Sequence, residues 1–73
     1  MTTYQFTVVV ERDEDGVYIA TCPALPGCYS QGDTYQEALE NLKDAMKLHI
    51  QARQSLGEPI PIEVALDRVE VNA

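Results

Sequence analysis

Basic residues are scarce in this chain. Among its 73 residues, five are Lys or Arg and twelve are Asp or Glu, a formal charge of -7. Nucleic-acid affinity rests mainly on Lys and Arg neutralising phosphates, so the composition argues against direct contact with DNA or RNA. Metal ligands of the soft kind are few: one histidine, His49, and two cysteines, Cys22 and Cys28. A structural zinc takes four clustered Cys or His ligands at characteristic close spacings. The five residues between Cys22 and Cys28 fit neither of the usual ones, and no metal is expected. Neither GxGxxG nor GxxxxGK[ST] occurs, so no nucleotide cofactor is expected. No run approaches the roughly 20 apolar residues of a membrane span. The N-terminal MTTYQFTVVV has no basic region ahead of an apolar one, so no signal peptide is read. Two cysteines without a secretory signal imply reduced thiols and a cytoplasmic location. A disulfide between them would need an oxidising setting.

What is present is a globular composition, 45% hydrophobic, with no low-complexity tract. The length predicts one domain over residues 1–73. A domain of this size buries only about 60% of its unfolded surface, so a ligand, a partner or self-association would add stability by mass action. The acidity suits a basic protein partner, through complementary potentials, and it equally serves plain solubility.

Along the chain, Tyr4, Phe6, Val8 and Val10 alternate with polar residues, the period of a half-buried strand. Val9 interrupts the alternation, as in a central strand. Asp13-Glu14-Asp15-Gly16 predicts a hairpin turn, and the β-forming run from Val17 to Thr21 a second strand. A third short strand is expected near Cys28-Tyr29-Ser30. Tyr35, Ala38, Leu39, Leu42, Ala45, Met46, His49 and Ile50 recur at helical spacing. Thr34 with Glu37 forms a capping-box pattern, and Leu56-Gly57 before Pro59 is a stop signal. The helix should run over 35–56, roughly 33 Å at 1.5 Å per residue. A last strand is expected within IEVALDRVEV, where the apolar phase shifts between Val64/Leu66 and Val69/Val71, implying a bulge or bend. The predicted fold class is α+β in two layers, β-β-β-α-β, with one helix on a four-stranded, mostly antiparallel sheet. The last strand should lie parallel to the first.

Candidate chemistry is sparse. His49 titrates near neutrality when unperturbed, but no Ser or Cys stands at a spacing that implies a His-assisted nucleophile, so a half-exposed helix residue is the simpler reading. Asp13, Glu14, Asp15 and Gly16 resemble the start of a calcium loop, but that loop needs a Glu six residues after the Gly, and position 22 is Cys. Glu11, Asp13 and Asp15 are the only set that could hold a divalent metal for a residual nuclease, and they fall on or near a hairpin tip instead of a rigid scaffold. In the connector CPALPGCYSQGDT, Pro26-Gly27 should turn the chain and Gly32 should turn it again. Asp33 should favour the helix dipole, and Thr34 should cap the helix. Tyr29 and Gln31, with Gln36 at the helix start, have no evident core duty, and tyrosine is a common interface anchor. These three are the candidate partner-binding residues.

The hairpin followed by this connector resembles the HicB-like antitoxin family. The resemblance lies in Leu25-Pro26-Gly27-Cys28, in Ser30-Gln31-Gly32-Asp33-Thr34, and in Glu37-Ala38-Leu39 with the helix that follows. It implies a reduced ribonuclease H-like β-β-β-α-β unit without the nuclease carboxylates, and a binding role instead of catalysis. HicB-like proteins bind a small basic HicA-type toxin, an RNA-cleaving protein, and block its active site. Many carry a C-terminal DNA-binding domain. The chain read here ends at Ala73, and the short form of the family is expected. The expected function is a toxin-neutralising, homo-oligomeric binding module; the alternative is an orphan domain that self-associates without a toxin.

Overall fold

The computed structural model describes residues 3–72. Three strands and one helix form: β1, Val9–Arg12; β2, Tyr18–Thr21; β3, Tyr29–Gly32; and α1, Tyr35–Leu56. The strands make an antiparallel meander in the order β1-β2-β3.

The first hairpin closes as its Asp-Gly pair predicts. Asp13 N–H donates to the Val17 carbonyl at 2.9 Å, and Gly16 N–H donates to Asp13 O at 3.1 Å. The Asp13 side chain completes the turn, its Oδ1 accepting from the amides of Asp15 and Val17, both at 2.9 Å. That is the local bonding by which Asp organises a tight turn. β1 is shorter than the alternation from Tyr4 suggests. The register pairs Val9 with Thr21, which would set Thr7 opposite Pro23, and proline has no N–H to give to a ladder. Tyr4 and Phe6 instead stack their rings, centroids 6.3 Å apart.

α1 has the bounds that its sequence predicts. Thr34 is its N-cap in extended backbone, and its Oγ1 accepts from Glu37 N–H at 3.1 Å. The reciprocal bond from Glu37 is not formed among the described residues, so only half of the capping box exists. The far end is a Schellman turn: Glu58 N–H reaches Arg53 O at 2.8 Å and Gly57 N–H reaches Gln54 O at 3.2 Å, with Gly57 left-handed. The Thr34→Ala variant should lose about 1 kcal/mol of stability, read as a lower urea midpoint at unchanged slope.

The helix lies chiefly over β3 and β2, and only marginally over β1. Ala38 and Leu42 of α1 join Ala20, Cys22, Leu25 and Cys28 as the buried core, with Phe6, Val8, Val10, Tyr18, Ala45, Met46 and Ile50 packed around it. Tyr35, placed on the apolar stripe by its spacing, is 54% exposed. His49 is half-buried and its Nε2 accepts from Arg53 Nε at 2.9 Å. Arg53 also donates to the Pro59 carbonyl at 3.0 Å. His49 therefore serves the end of the helix.

Two expectations are corrected. No fourth strand forms in the described tail, residues 58–72, so the sheet has three strands, and β1 is an edge strand instead of a central one. The tail touches the start of β1 through Glu63, whose carboxylate accepts from the Thr7 backbone at 2.5 Å and from its hydroxyl at 2.7 Å. Beyond that the tail makes no ladder, and its aliphatic side chains stay in solvent, from Ile62 at 87% exposed to Val71 at 77%. The shifted apolar phase leaves no single face that the chain's own sheet can cover. The second correction concerns Gly32. It is not a turn residue: it ends β3 in ordinary backbone and is buried. A Cβ there would sit 2.6 Å from Ala38 N and 3.0 Å from the Glu37 carbonyl carbon. The glycine lets the first turn of α1 lie directly on β3.

Candidate protein-binding face

The helix covers one face of the sheet; the other is open. Even-numbered residues of β1 to β3 face the helix; Val10, Tyr18, Ala20, Ser30 and Gly32 are buried or half-buried, while Arg12 at the end of β1 is exposed, and odd-numbered ones face outward. The register aligns two outward rows, Val9–Thr21–Tyr29 and Glu11–Ile19–Gln31. Tyr29 is 67% exposed and Val9 41%. Beyond Glu11 lies the acidic hairpin tip of Asp13, Glu14 and Asp15, all exposed. The face is thus aromatic and aliphatic at one end and negative at the other.

Tyr29 borders a further feature built by the connector. Leu25 N–H bonds Cys22 O at 3.0 Å, Cys28 N–H bonds Leu25 O at 3.0 Å, and Cys22 N–H bonds Cys28 O at 3.1 Å. Two successive turns therefore double the chain back on itself and drive Leu25 into the core, where it is fully buried. Pro26 and Gly27 occupy the centre of the second turn, with Gly27 at φ 78°. That is the Pro-Gly order of a type II turn, which needs a residue free to take positive φ. The turns wall an open, mostly apolar pocket of about 280 Å³, lined by Thr21, Leu25, Pro26, Cys28 and Tyr29 among others.

The cysteines are free and buried. Burial pushes the Cys22 thiol above its usual range; the backbone N–H groups of Leu25 and Ala24 oppose the shift, and the Glu63 carboxylate adds to it. Burial likewise raises Cys28, with Cys22 beside it contributing. Raised thiols are poor nucleophiles and poor metal ligands. The sign for stability follows. The unfolded chain ionises at about pH 8.5 while the folded one keeps its protons, so this contribution is intact below that pH. It is lost as pH rises toward the folded values. The urea midpoint should fall above about pH 8.5, and a Cys28→Ala variant should show a shallower fall.

Of the candidate interface residues, the structure brings Tyr29 and Gln31 together on the open face of β3. The Gln31 carbonyl points to the free side of that strand and accepts from Asn41 Nδ2 at 2.9 Å. Gln36 lies in the helix layer, on the other side of the sheet, and donates from Nε2 to Glu40 Oε1 at 3.2 Å. The reading from sequence missed Leu25 as the core element of the connector, although its place between two prolines and two cysteines marks it. It also missed Val9, Ile19 and Thr21, which complete the face; their alternation within the β-forming runs is the trace they leave. Asp13 spends one carboxylate oxygen on the turn, and among the described residues no group of three His, Cys, Asp or Glu side chains is arranged to hold a metal ion.

The model of the HicB-like antitoxin of bacterial toxin-antitoxin systems matches residues 6–73, which includes the tail. The chain belongs to the HicB-like antitoxin family. It is 45% identical to a UPF0150 protein of Synechocystis sp. over 60 residues, covering 82% of this chain and 76% of that one. It is 42% identical to a UPF0150 protein of Thermoplasma acidophilum over 69 residues, covering 94% and 99%. The crystal structure of the N-terminal domain of the Burkholderia pseudomallei antitoxin HicB superposes with a TM-score of 0.73 at 31% identity, covering 84% of this chain and 72% of that one. The HicB-like fold accounts for the α+β meander and its helix, and membership implies a toxin-antitoxin role of a non-enzymatic kind. In this chain the connector is architecture: Pro26, Gly27, Cys28, Gly32 and Thr34 each hold a turn, a core position or a cap, and Asp33 stands exposed just ahead of the cap.

Proposed function

We propose that this HicB-like chain is a cytoplasmic protein-binding module that neutralises a small basic, HicA-type RNA-cleaving toxin by covering its active site. The observation that carries the reading is the open face of the sheet. An exposed Tyr29 beside an apolar pocket supplies an anchor of the kind that dominates interfaces. The acidic tip at the other end favours a basic partner in encounter and register. An RNA-cleaving protein binds phosphates with cationic side chains, and an acidic cover competes for those same groups. Gln31 sits within the face; Gln36, in the other layer, is outside it.

Co-expression with the product of the adjacent gene, expected to be a small basic protein, tests the reading. The two should co-purify, and RNA cleavage by the partner should stop in the complex. Tyr29→Ala should weaken binding by roughly 2 kcal/mol, about thirtyfold in Kd, as loss of an anchor does, without lowering the urea midpoint. If no basic partner binds, or if Tyr29→Ala and Gln31→Ala bind as the parent does, the proposed face is wrong. A second reading, self-association without a toxin, draws on a separate observation, the uncovered aliphatic tail.

A further inference from the structure

The outer edge of β1 and the tail are both unfinished. Glu11 and Val9 pair inward with Ile19 and Thr21, and in an antiparallel ladder the alternate residues turn their N–H and C=O groups away. Val8, Val10 and Arg12 therefore aim their backbone groups outward, and none has a hydrogen-bond partner among the described residues. α1 barely reaches this margin of the sheet. Along it runs a groove of about 440 Å³ between Val8–Val10 and Leu66–Arg68 of the tail. The tail itself carries Ile62, Val64 and Leu66 at period two, the spacing of one strand face. Val64 is 96% exposed and Leu66 76%.

We infer that two copies complete each other, the tail around Ile62–Leu66 of each pairing as a strand with the free β1 edge of the other. This rests on the self-association part of the proposed function and is independent of the toxin. A free edge is a template for another strand, and reciprocal exchange of one element is a low-cost route to a two-fold dimer. The exchanged strand would lay Ile62, Val64 and Leu66 beside Phe6, Val8 and Val10, where the helix leaves the sheet thinly covered. These three aliphatic side chains per copy enter the interface. At ~60–120 Å² for each buried side chain, six of them bring roughly 360–720 Å², and the backbone ladder with the flanking tail residues must supply the rest of what a specific interface requires. Two chains of charge -7 repel, so this association should strengthen with salt, whereas binding to a basic partner should weaken with it.

Amide hydrogen exchange on the full-length chain, with native mass spectrometry, tests the inference. The expected result is a dimer in which the Val8, Val10 and Arg12 amides are protected. Their protection should fall ~10-fold on ~100-fold dilution, because the free fraction of a dimer scales with the inverse square root of concentration. Val64→Asp and Leu66→Asp should give monomers with those three amides exposed. The Ala20 and Cys22 amides, which pair with β3, should stay protected and so report an intact fold. A monomer with unprotected β1 amides overturns the inference. So does a monomer with protected ones, since the tail then pairs within its own chain. A dimer whose β1 amides exchange freely, or one that survives both Asp variants, joins through another surface and also overturns it. A basic partner that binds the Val64→Asp monomer leaves the toxin reading standing whichever of these is seen.

Discussion

Gly32→Ala is expected to remove most of the stability of this domain. The added methyl would lie 2.6 Å from the Ala38 nitrogen and 3.0 Å from the Glu37 carbonyl carbon. Both are backbone atoms in the first turn of α1, so no side-chain rotation can relieve the contact. Either β3 or the start of the helix must move by several tenths of an ångström. That shift would disturb the Thr34 cap and the seat of Ala38, which is fully buried. Forced overpacking costs about 1–3 kcal/mol and more where backbone must shift. A 73-residue domain has a total of only ~4–11 kcal/mol to lose. Urea denaturation followed by far-UV circular dichroism should show a midpoint far below the parent's, or no cooperative transition. A variant as stable as the parent would mean that the helix does not sit on Gly32.

Leu25→Ala is expected to be nearly as severe, although Leu25 lies in a loop. Its side chain is fully buried, one of the three largest such side chains in the chain, and a connector rarely supplies such a residue. Removal leaves a cavity beneath the two turns and destabilises by about 2–5 kcal/mol, with the spread set by how far the site collapses. Collapse is limited here because three backbone hydrogen bonds fix the loop around it. Thermal unfolding should shift down by roughly 8–40 °C, at about 4–8 °C per kcal/mol for a domain of this size. The same variant should make Cys22 and Cys28 react with thiol reagents in the native state, since Leu25 helps to exclude water from them. A Leu25→Ala protein with the parent's midpoint would place the core elsewhere.

Much of the architecture was legible in local chemistry. The helix bounds follow from Thr34, Gly57 and the spacing of Ala38, Leu42 and Ala45, because caps and periodicity are local properties. The hairpin follows from Asp15-Gly16 in the same way. What failed was non-local. Gly32 resembles a turn residue in sequence, but its role is set by a helix that starts three residues later in the chain and lays its first turn on it. The tail reads as a strand because Val64, Leu66, Val69 and Val71 are strand-formers; whether they pair depends on presenting one apolar face to the sheet, and propensity says nothing about that. The proposed face was half legible. Tyr29 and Gln31 were found as residues without a core duty, whereas Val9, Ile19 and Thr21 join them only once the register is known. Gln36 was set among them by its nearness in sequence, and the helix carries it to the other layer.

The central claim is that the open face of the sheet receives a basic partner. Mapping amide chemical-shift changes on the isotopically labelled chain, as the product of the adjacent gene is added, tests it most directly. The largest changes should fall on Val9, Glu11, Ile19, Thr21, Tyr29 and Gln31 and fade toward the helix, and added salt should weaken the complex. Changes confined to the exposed side of α1, or no change at saturating partner, would contradict the account.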